Sequence, residues 1–283
     1  MKVIQLSKEI IDYGVKLINP IKQWAITKGE GINVAVLDTG IDYNHIDIKD
    51  NFRGGVNFTS SISKDYKDVA GHGTFCSGII AGIENNVGII GIAPKANLYA
   101  VKVLNNQEQG TLQWLLQGID WCARNNIDII NMSLGFQRDF PALHDSVVRA
   151  YNKDIIMICA AGNNKFDRDS QFPARYPECI SISAIDNIKH VAKFSTHGQS
   201  VEVAAPGVNI ISCYPGNKYA QASGTSFAAP HITGAVALIL SQFKKENGRR
   251  MTNIELREFL HENCEDLGIK GKDISYGYGM FHF

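Results

Sequence analysis

The sequence contains no Pro-, Gly- or Ser-rich stretch that reads as a linker, no internal repeat and no low-complexity tract. At 283 residues it is near the upper limit for one hydrophobic core, so a single domain is expected. There is no charge excess. Lys plus Arg and Asp plus Glu stand at 28 each, which removes the electrostatic case for nucleic acid or an anionic membrane as partner. The opening MKVIQLSKEI lacks the apolar core and small-residue cleavage site of a signal peptide, and Met1 reads as a true start. No apolar run is long enough to span a bilayer; the run Ile232–Leu240 is broken by Thr233 and Gly234.

Two metal patterns are missing as well. None of the six cysteines forms a C-x-x-C pair, which argues against a zinc site. No His-Glu-x-x-His helix appears, which argues against a metal hydrolase. Cys76, Cys122, Cys159, Cys179, Cys213 and Cys264 mostly sit in apolar surroundings and read as free buried thiols of a reducing compartment, although an even count also permits disulfides. Together these features predict a cytoplasmic protein.

What is present is an alternation. Apolar, β-branched runs at Ile32–Leu37, Leu98–Leu104, Ile127–Met132, Ile155–Ala160 and Cys179–Ala184 read as strands, with shorter ones at Val201–Ala204 and Ile210–Cys213. Amphipathic stretches at Thr111–Asn125, Ala142–Asn152 and Asn253–Cys264 read as helices. Strands covered on both faces, joined by helices, predict an α/β fold: a three-layer αβα sandwich with a mainly parallel central sheet. Ligands in such sheets bind at the carboxyl ends of strands.

Four polar residues stand out, two of them at strand ends and two ahead of helices. Asp38 directly follows the strand VAVL, where an isolated buried charge is costly and wants a partner; an Asp before Gly is also a common turn. His72 lies between Gly71 and Gly73, which let backbone pack closely around an imidazole, with a helix expected over Thr74–Ile83. Ser226 lies in GTSFAAPH, ahead of an apolar helix from Ile232 to Phe243, where the dipole favours developing negative charge. Pro230 is expected in the first turn of that helix, and a Ser there also reads as an N-cap. Asn163 follows the strand IIMICAA, where a side-chain amide can donate to an oxyanion; Gly-Asn is also a turn pair.

These segments, Val36–Asp42, Gly71–Thr74 and Gly224–His231, in the order Asp, His, Ser, resemble the subtilase family (peptidase S8) over nearly the whole chain, from Tyr13 to Tyr278, with Phe227 where Met is usual. The likeness is strongest to intracellular bacterial members. It implies a subtilisin-like peptidase domain over 13–283 behind a short N-terminal extension, 1–12. It implies a serine endopeptidase in which Ser226 attacks, His72 moves the proton, Asp38 orients His72 and Asn163 stabilises the oxyanion. Cys76, near the histidine, resembles the thiol-containing proteinase K-like members.

The resemblance also implies a substrate strand lying by Gln109 and Gly110, and a pocket for the residue before the cleaved bond (P1). Its walls would be Ser133, Leu134 and Gly135 on one side and Ala160, Ala161 and Gly162 on the other. Asp167 and Asp169 would face its bottom, and either would favour a basic P1 residue. A structural calcium ion is implied at Asp47, Asn85 and the carbonyls of Ile83, Val87 and Ile89, a hard oxygen shell, with Glu9 in place of the family's N-terminal ligand. Peptide or protein is the expected partner; neither nucleic acid nor membrane is expected. Secreted subtilases carry a long inhibitory pro-region and intracellular ones a short extension with a Pro-Tyr element; neither is found here. That leaves two uses open, a general intracellular endopeptidase or a dedicated leader-peptide maturation protease of the lantibiotic type cutting after a basic residue. A peptide-binding pseudoprotease is the alternative of another class, opposed by the presence of all four residues.

Overall fold

Successive residues of the apolar runs enter different cores. Val34 and Val36 pack into one cluster, Ala35 and Leu37 into another; Ile156 and Ile158 likewise face the first, Met157 and Cys159 the second. A strand with both faces buried has no polar side, which is why the runs are apolar throughout. The structure, a computed structural model, describes residues 1–283.

In chain order the elements are β1 (Lys2–Ile4), α1 (Tyr13–Ile18), α2 (Ile21–Trp24), β2 (Asn33–Asp38), β3 (Phe52–Asn57), α3 (His72–Ala81), β4 (Asn97–Lys102), α4 (Leu112–Cys122), β5 (Ile129–Met132), α5 (Pro141–Tyr151), β6 (Ile156–Ala160), β7 (Ile180–Ile185), β8 (Val201–Pro206), β9 (Ile210–Tyr214), β10 (Lys218–Ala222), α6 (Thr225–Asn247), α7 (Asn253–Glu262), β11 (Cys264–Glu265) and β12 (Met280–Phe281). The central sheet runs β11-β12-β8-β7-β6-β5-β2-β4-β3 and is parallel except at β11. Helices α1, α3, α6 and α7 supply the first core, α4 and α5 the second. The result is the expected three-layer α/β sandwich.

The chain leaves β2 toward β3 and β4 on one side, then crosses to β5 on the other. The strand order therefore reverses between β2 and β5, and the crevice at their carboxyl ends is the place where such sheets bind ligands.

Four expectations are corrected. Helix α3 starts at His72, not Thr74, so the histidine is itself in the first helical turn. Helix α6 starts at Thr225, seven residues before the apolar run, so Pro230 lies in its second turn. At 23 residues and largely apolar, α6 does have the length and composition to cross a membrane, but most of it is buried inside the protein. The run Ile210–Cys213 is a strand, but as β9 it joins a separate antiparallel sheet, β1-β10-β9. All six cysteines are free, and all but Cys264 are buried.

Candidate active site

Asp38 ends β2 at the sheet's switch point and is completely buried. Its carboxylate accepts the Thr39 N–H at 2.7 Å, and both its oxygens lie 2.8 Å from Nδ1 of His72. The buried charge is thus partnered, as burial requires. His72 is brought there by a glycine strap. A Cβ on Gly73 would lie 2.1 Å from the Gly40 carbonyl, and one on Gly71 would lie 2.2 Å from the Tyr214 ring. Burial opposes protonation of His72. The charge and hydrogen bond of Asp38, with smaller contributions from Glu108 and Asp68, overcome that and hold the imidazole above its ordinary value of 6.5.

Asp68 carried no signal in the sequence. It accepts hydrogen bonds from the N–H groups of Ala70, Gly71 and Thr74, each at 2.9 Å, and from Thr74 Oγ1 at 2.6 Å. It thereby takes the Gly71 and Thr74 N–H groups at the start of α3, while Thr39 Oγ1 takes that of Gly73 at 3.0 Å, and together they fix the turn that presents His72.

Ser226 is the second residue of α6. Its Oγ donates to the Ser133 carbonyl at 3.3 Å. Pro230, four residues on, has no N–H for the Ser226 carbonyl. That carbonyl accepts instead from Ser133 Oγ at 2.7 Å, with the Cys76 thiol at 3.4 Å. Cys76 is fully buried, and burial pushes its thiol well above the ordinary value. It lies beneath the Asp38–His72 pair, the three side chains offering atoms within 4.8 Å of one another.

Asn163 is exposed at the cleft. Its Oδ1 accepts from Thr225 N at 2.9 Å and Thr225 Oγ1 at 3.0 Å, which leaves Nδ2 to face outward. The Ser226 N–H, in the first turn of α6, has no partner in the helix. Asn163, Ser226 and His72 border one opening of about 720 Å³, together with Glu108 and, on its far rim, Met1 and Lys2 of the β1 segment.

A second cavity, of about 250 Å³, joins it at His72 and is lined by Leu104, Glu108, Gly110, Ser133, Leu134, Gly135 and Phe136. Gln109 is exposed on the same turn. The expected P1 walls stand as two strand extensions, and the segment Gln171–Phe172 ties them together. The Gln171 N–H bonds the Ala161 carbonyl at 2.9 Å, and Phe172 exchanges backbone bonds with Phe136. The Gln171 side chain fills the space between: a Cβ on Gly135 would lie 2.8 Å from its Cβ, and one on Gly162 would lie 3.1 Å from its Cγ.

Neither loop aspartate takes that place. Asp169 turns away to Ser200 N at 3.1 Å and to Ser170 N at 2.8 Å, beside the Ser200 hydroxyl and Arg175. Asp167 accepts from Asn164 Nδ2 at 2.7 Å and Gln137 Nε2 at 3.1 Å. The sequence reading missed Gln171 because a lone Gln carries no motif.

The loop 83–89 wraps Asp47, which is fully buried. Asp47 accepts from Asn85 Nδ2 at 3.0 Å and Ile89 N at 2.9 Å, and its charge faces the Tyr219 hydroxyl. The carbonyls of Ile83, Val87 and Ile89 receive no hydrogen bond from the protein. A carboxylate with three unclaimed carbonyls is a donor set that fits a hard cation. Asn85 presents nitrogen to Asp47 here, and its amide must turn over to offer oxygen. Glu9, expected in place of the family's N-terminal ligand, accepts the N–H groups of Asn85 and Asn86, each at 2.8 Å, and so holds the loop from outside.

A sequence model described as the subtilase family matches residues 29–279. The chain is 42% identical over 276 residues to the intracellular serine protease of Paenibacillus polymyxa, across 94% of this chain and 85% of that one. It is 43% identical over 258 residues to the minor extracellular protease Epr of Bacillus subtilis (strain 168), across 90% of this chain but 38% of the longer relative. It is 38% identical over 276 residues to subtilisin E of the same strain, across 96% and 70%.

Proposed function

The chain belongs to the subtilase family and is a subtilisin-type serine protease, and from that premise we propose that Ser226 is its nucleophile, His72 its general base and Asp38 the carboxylate that orients the base. One observation carries this assignment: a fully buried carboxylate bonded to Nδ1 of a histidine at the sheet's switch point, with a helix-start serine bordering the same opening. Ser226 attacks the scissile carbonyl after its Oγ turns from Ser133 to Nε2 of His72. His72 takes the proton and passes it to the leaving amine, while Asp38 stabilises the imidazolium. The oxyanion accepts from Asn163 Nδ2 and the Ser226 N–H, donors already fixed before charge develops.

Substrate lies as an added strand between Gln109–Gly110 and Ser133–Gly135. Its P1 side chain enters the slot between Ser133–Gly135 and Ala160–Gly162, which ends on the neutral Gln171 amide. This supports a general endopeptidase over a dedicated leader-peptide protease cutting after a basic residue, because Asp167 and Asp169 are engaged elsewhere.

Calcium, held by Asp47, Asn85 and the carbonyls of Ile83, Val87 and Ile89, would supply a fixed positive charge that clamps the loop after α3. A cytoplasmic location is supported by the six free thiols and by the relative named intracellular. Cleavage-site profiling on a peptide library, with Ser226→Ala alongside, tests the assignment. Cuts after varied residues, absent in Ser226→Ala, are expected. Cuts confined to Arg or Lys at P1 would favour the maturation protease, and cuts that persist in Ser226→Ala would remove the nucleophile assignment.

A further inference from the structure

Eight non-glycine residues have positive φ, and six are Asn or Asp, the types that tolerate it. The exceptions are Lys189 and Glu108. Lys189 is ion-paired with Glu265. Glu108, at φ 60°, has no hydrogen bond or ion pair from its side chain and is exposed.

The turn that carries it is nonetheless firmly built. Asn105 Oδ1 accepts from Gln107 N at 2.9 Å and Gln109 N at 3.0 Å, the Glu108 N–H bonds the Asn105 carbonyl at 3.0 Å, and the Asn105 N–H bonds the Gln109 carbonyl at 2.9 Å. A glutamate thus occupies a left-handed site that glycine would fill without steric cost, on a turn whose backbone holds it in one place.

That place is the catalytic cleft. Glu108 lines both cavities that meet at His72. The smaller one has Leu104, Leu134 and Phe136 on its apolar side and Glu108 on its rim. Lys2, on the rim of the wider opening, makes no ion pair with it. An apolar wall topped by an unpaired carboxylate fits a long cationic side chain, with its methylenes on the wall and its charge at the rim.

We propose that Glu108 selects substrates with Lys or Arg at the second position upstream of the cleaved bond. The position follows from strand geometry. Side chains of an extended strand alternate, so when P1 enters the slot ending at Gln171, its upstream neighbour projects to the other face, beside His72. The inference rests on the protease assignment above, and it places cation recognition one residue away from where the loop aspartates would have put it.

The test uses two quenched peptides that differ only in Lys or Gln at that position, around a bond identified by the library. The wild-type protein is expected to favour the Lys peptide by about two- to fivefold in kcat/KM, the range of a partly exposed charge pair. The ratio should narrow at 1 M NaCl. It should fall to about one in Glu108→Gln, and a Glu peptide should overtake the Lys peptide in Glu108→Lys. Because each ratio is taken within one variant, a lower folded fraction does not alter it. Equal wild-type rates on the two peptides, or a Lys preference that survives in Glu108→Gln, overturns the inference while the protease stands. Failure of wild type to cleave either peptide, with no labelling of Ser226 by a fluorophosphonate, overturns both.

Discussion

The Ser226 hydroxyl points at the Ser133 carbonyl, 3.3 Å away, while Ser133 Oγ bonds back to the Ser226 carbonyl at 2.7 Å. The second bond exists because Pro230 gives the Ser226 carbonyl no helical donor. Ser133→Ala should therefore cost about 1–2 kcal/mol of stability, the usual penalty for a buried acceptor stripped of its partner. Adding Pro230→Ala restores an N–H to that turn and should recover part of the loss. Denaturant unfolding of the single and double variants measures both effects, and no recovery would mean that Pro230 is not the cause.

The Gln171 side chain lies between Gly135 and Gly162, at the end of the slot proposed for P1. Gln171→Gly should deepen it. Hydrolysis of peptides with Phe or Tyr at P1 is then expected to rise relative to Ala, by about tenfold for the one or two kcal/mol of apolar burial that becomes accessible. Paired kcat/KM values for the two peptide types would show it, and an unchanged ratio would place the floor of the slot elsewhere.

The proposed attack requires neutral His72, whose affinity for protons Asp38, Glu108 and Asp68 raise above the ordinary 6.5. The acid limb of kcat/KM should therefore lie above pH 6.5, with activity falling as pH drops through it. Glu108→Gln removes one of the raising charges and should move the limb toward lower pH. A pH–rate profile of both proteins decides the matter, and a limb below 6.5 in the wild type would contradict it.

His231 sits in the core of α6, where Nδ1 donates to the Phe227 carbonyl at 2.8 Å and Nε2 has no partner. Burial lowers its affinity for protons to about 4 from an ordinary 6.5. The unfolded chain therefore binds a proton that the folded one refuses. Stability is full above pH 6.5 and declines as pH falls toward 4, by on the order of 3 kcal/mol from this group. Thermal unfolding at pH 7 and pH 4.5 should differ less in a neutral, volume-matched variant, His231→Leu, than in wild type.

If loop 83–89 takes calcium, EGTA should lower the Tm and added calcium restore it. Ion at a hundred times its Kd contributes about 2.7 kcal/mol. Asp47→Asn should abolish the calcium-dependent part of the shift. A Tm indifferent to both reagents would leave the loop closed by its hydrogen bonds alone.

The strands were legible because burial on both faces leaves them no polar positions, so Ile32–Leu37 and Ile155–Ala160 read clearly. Asp38 and Asn163 stood out as polar residues at the ends of such runs, whereas His72 and Ser226 were marked by their Gly-His-Gly and GTSFAAPH surroundings ahead of helices. β3 was missed: its FRGGVN lacks the apolar signal, and Gly55 is there because Ala100 O would lie 2.1 Å from a Cβ. The start of α6 was read too late because its first turn is set by Asn163 bonding Thr225, a contact from another strand. Gln171 and Glu108 take their roles from neighbours far away in sequence, and no local pattern announces them.

The reversal of strand order between β2 and β5 has a consequence for folding. Residues 38, 72, 133, 163 and 226 meet only when strands from both halves of the sheet and the long helix are in place. A fragment that stops short of α6 lacks the proposed nucleophile beside the Asp38–His72 pair. During synthesis these residues cannot meet before position 226 has emerged, and the many long-range pairings make their meeting slow. Appearance of activity thus reports the joining of the two halves of the sheet with α6.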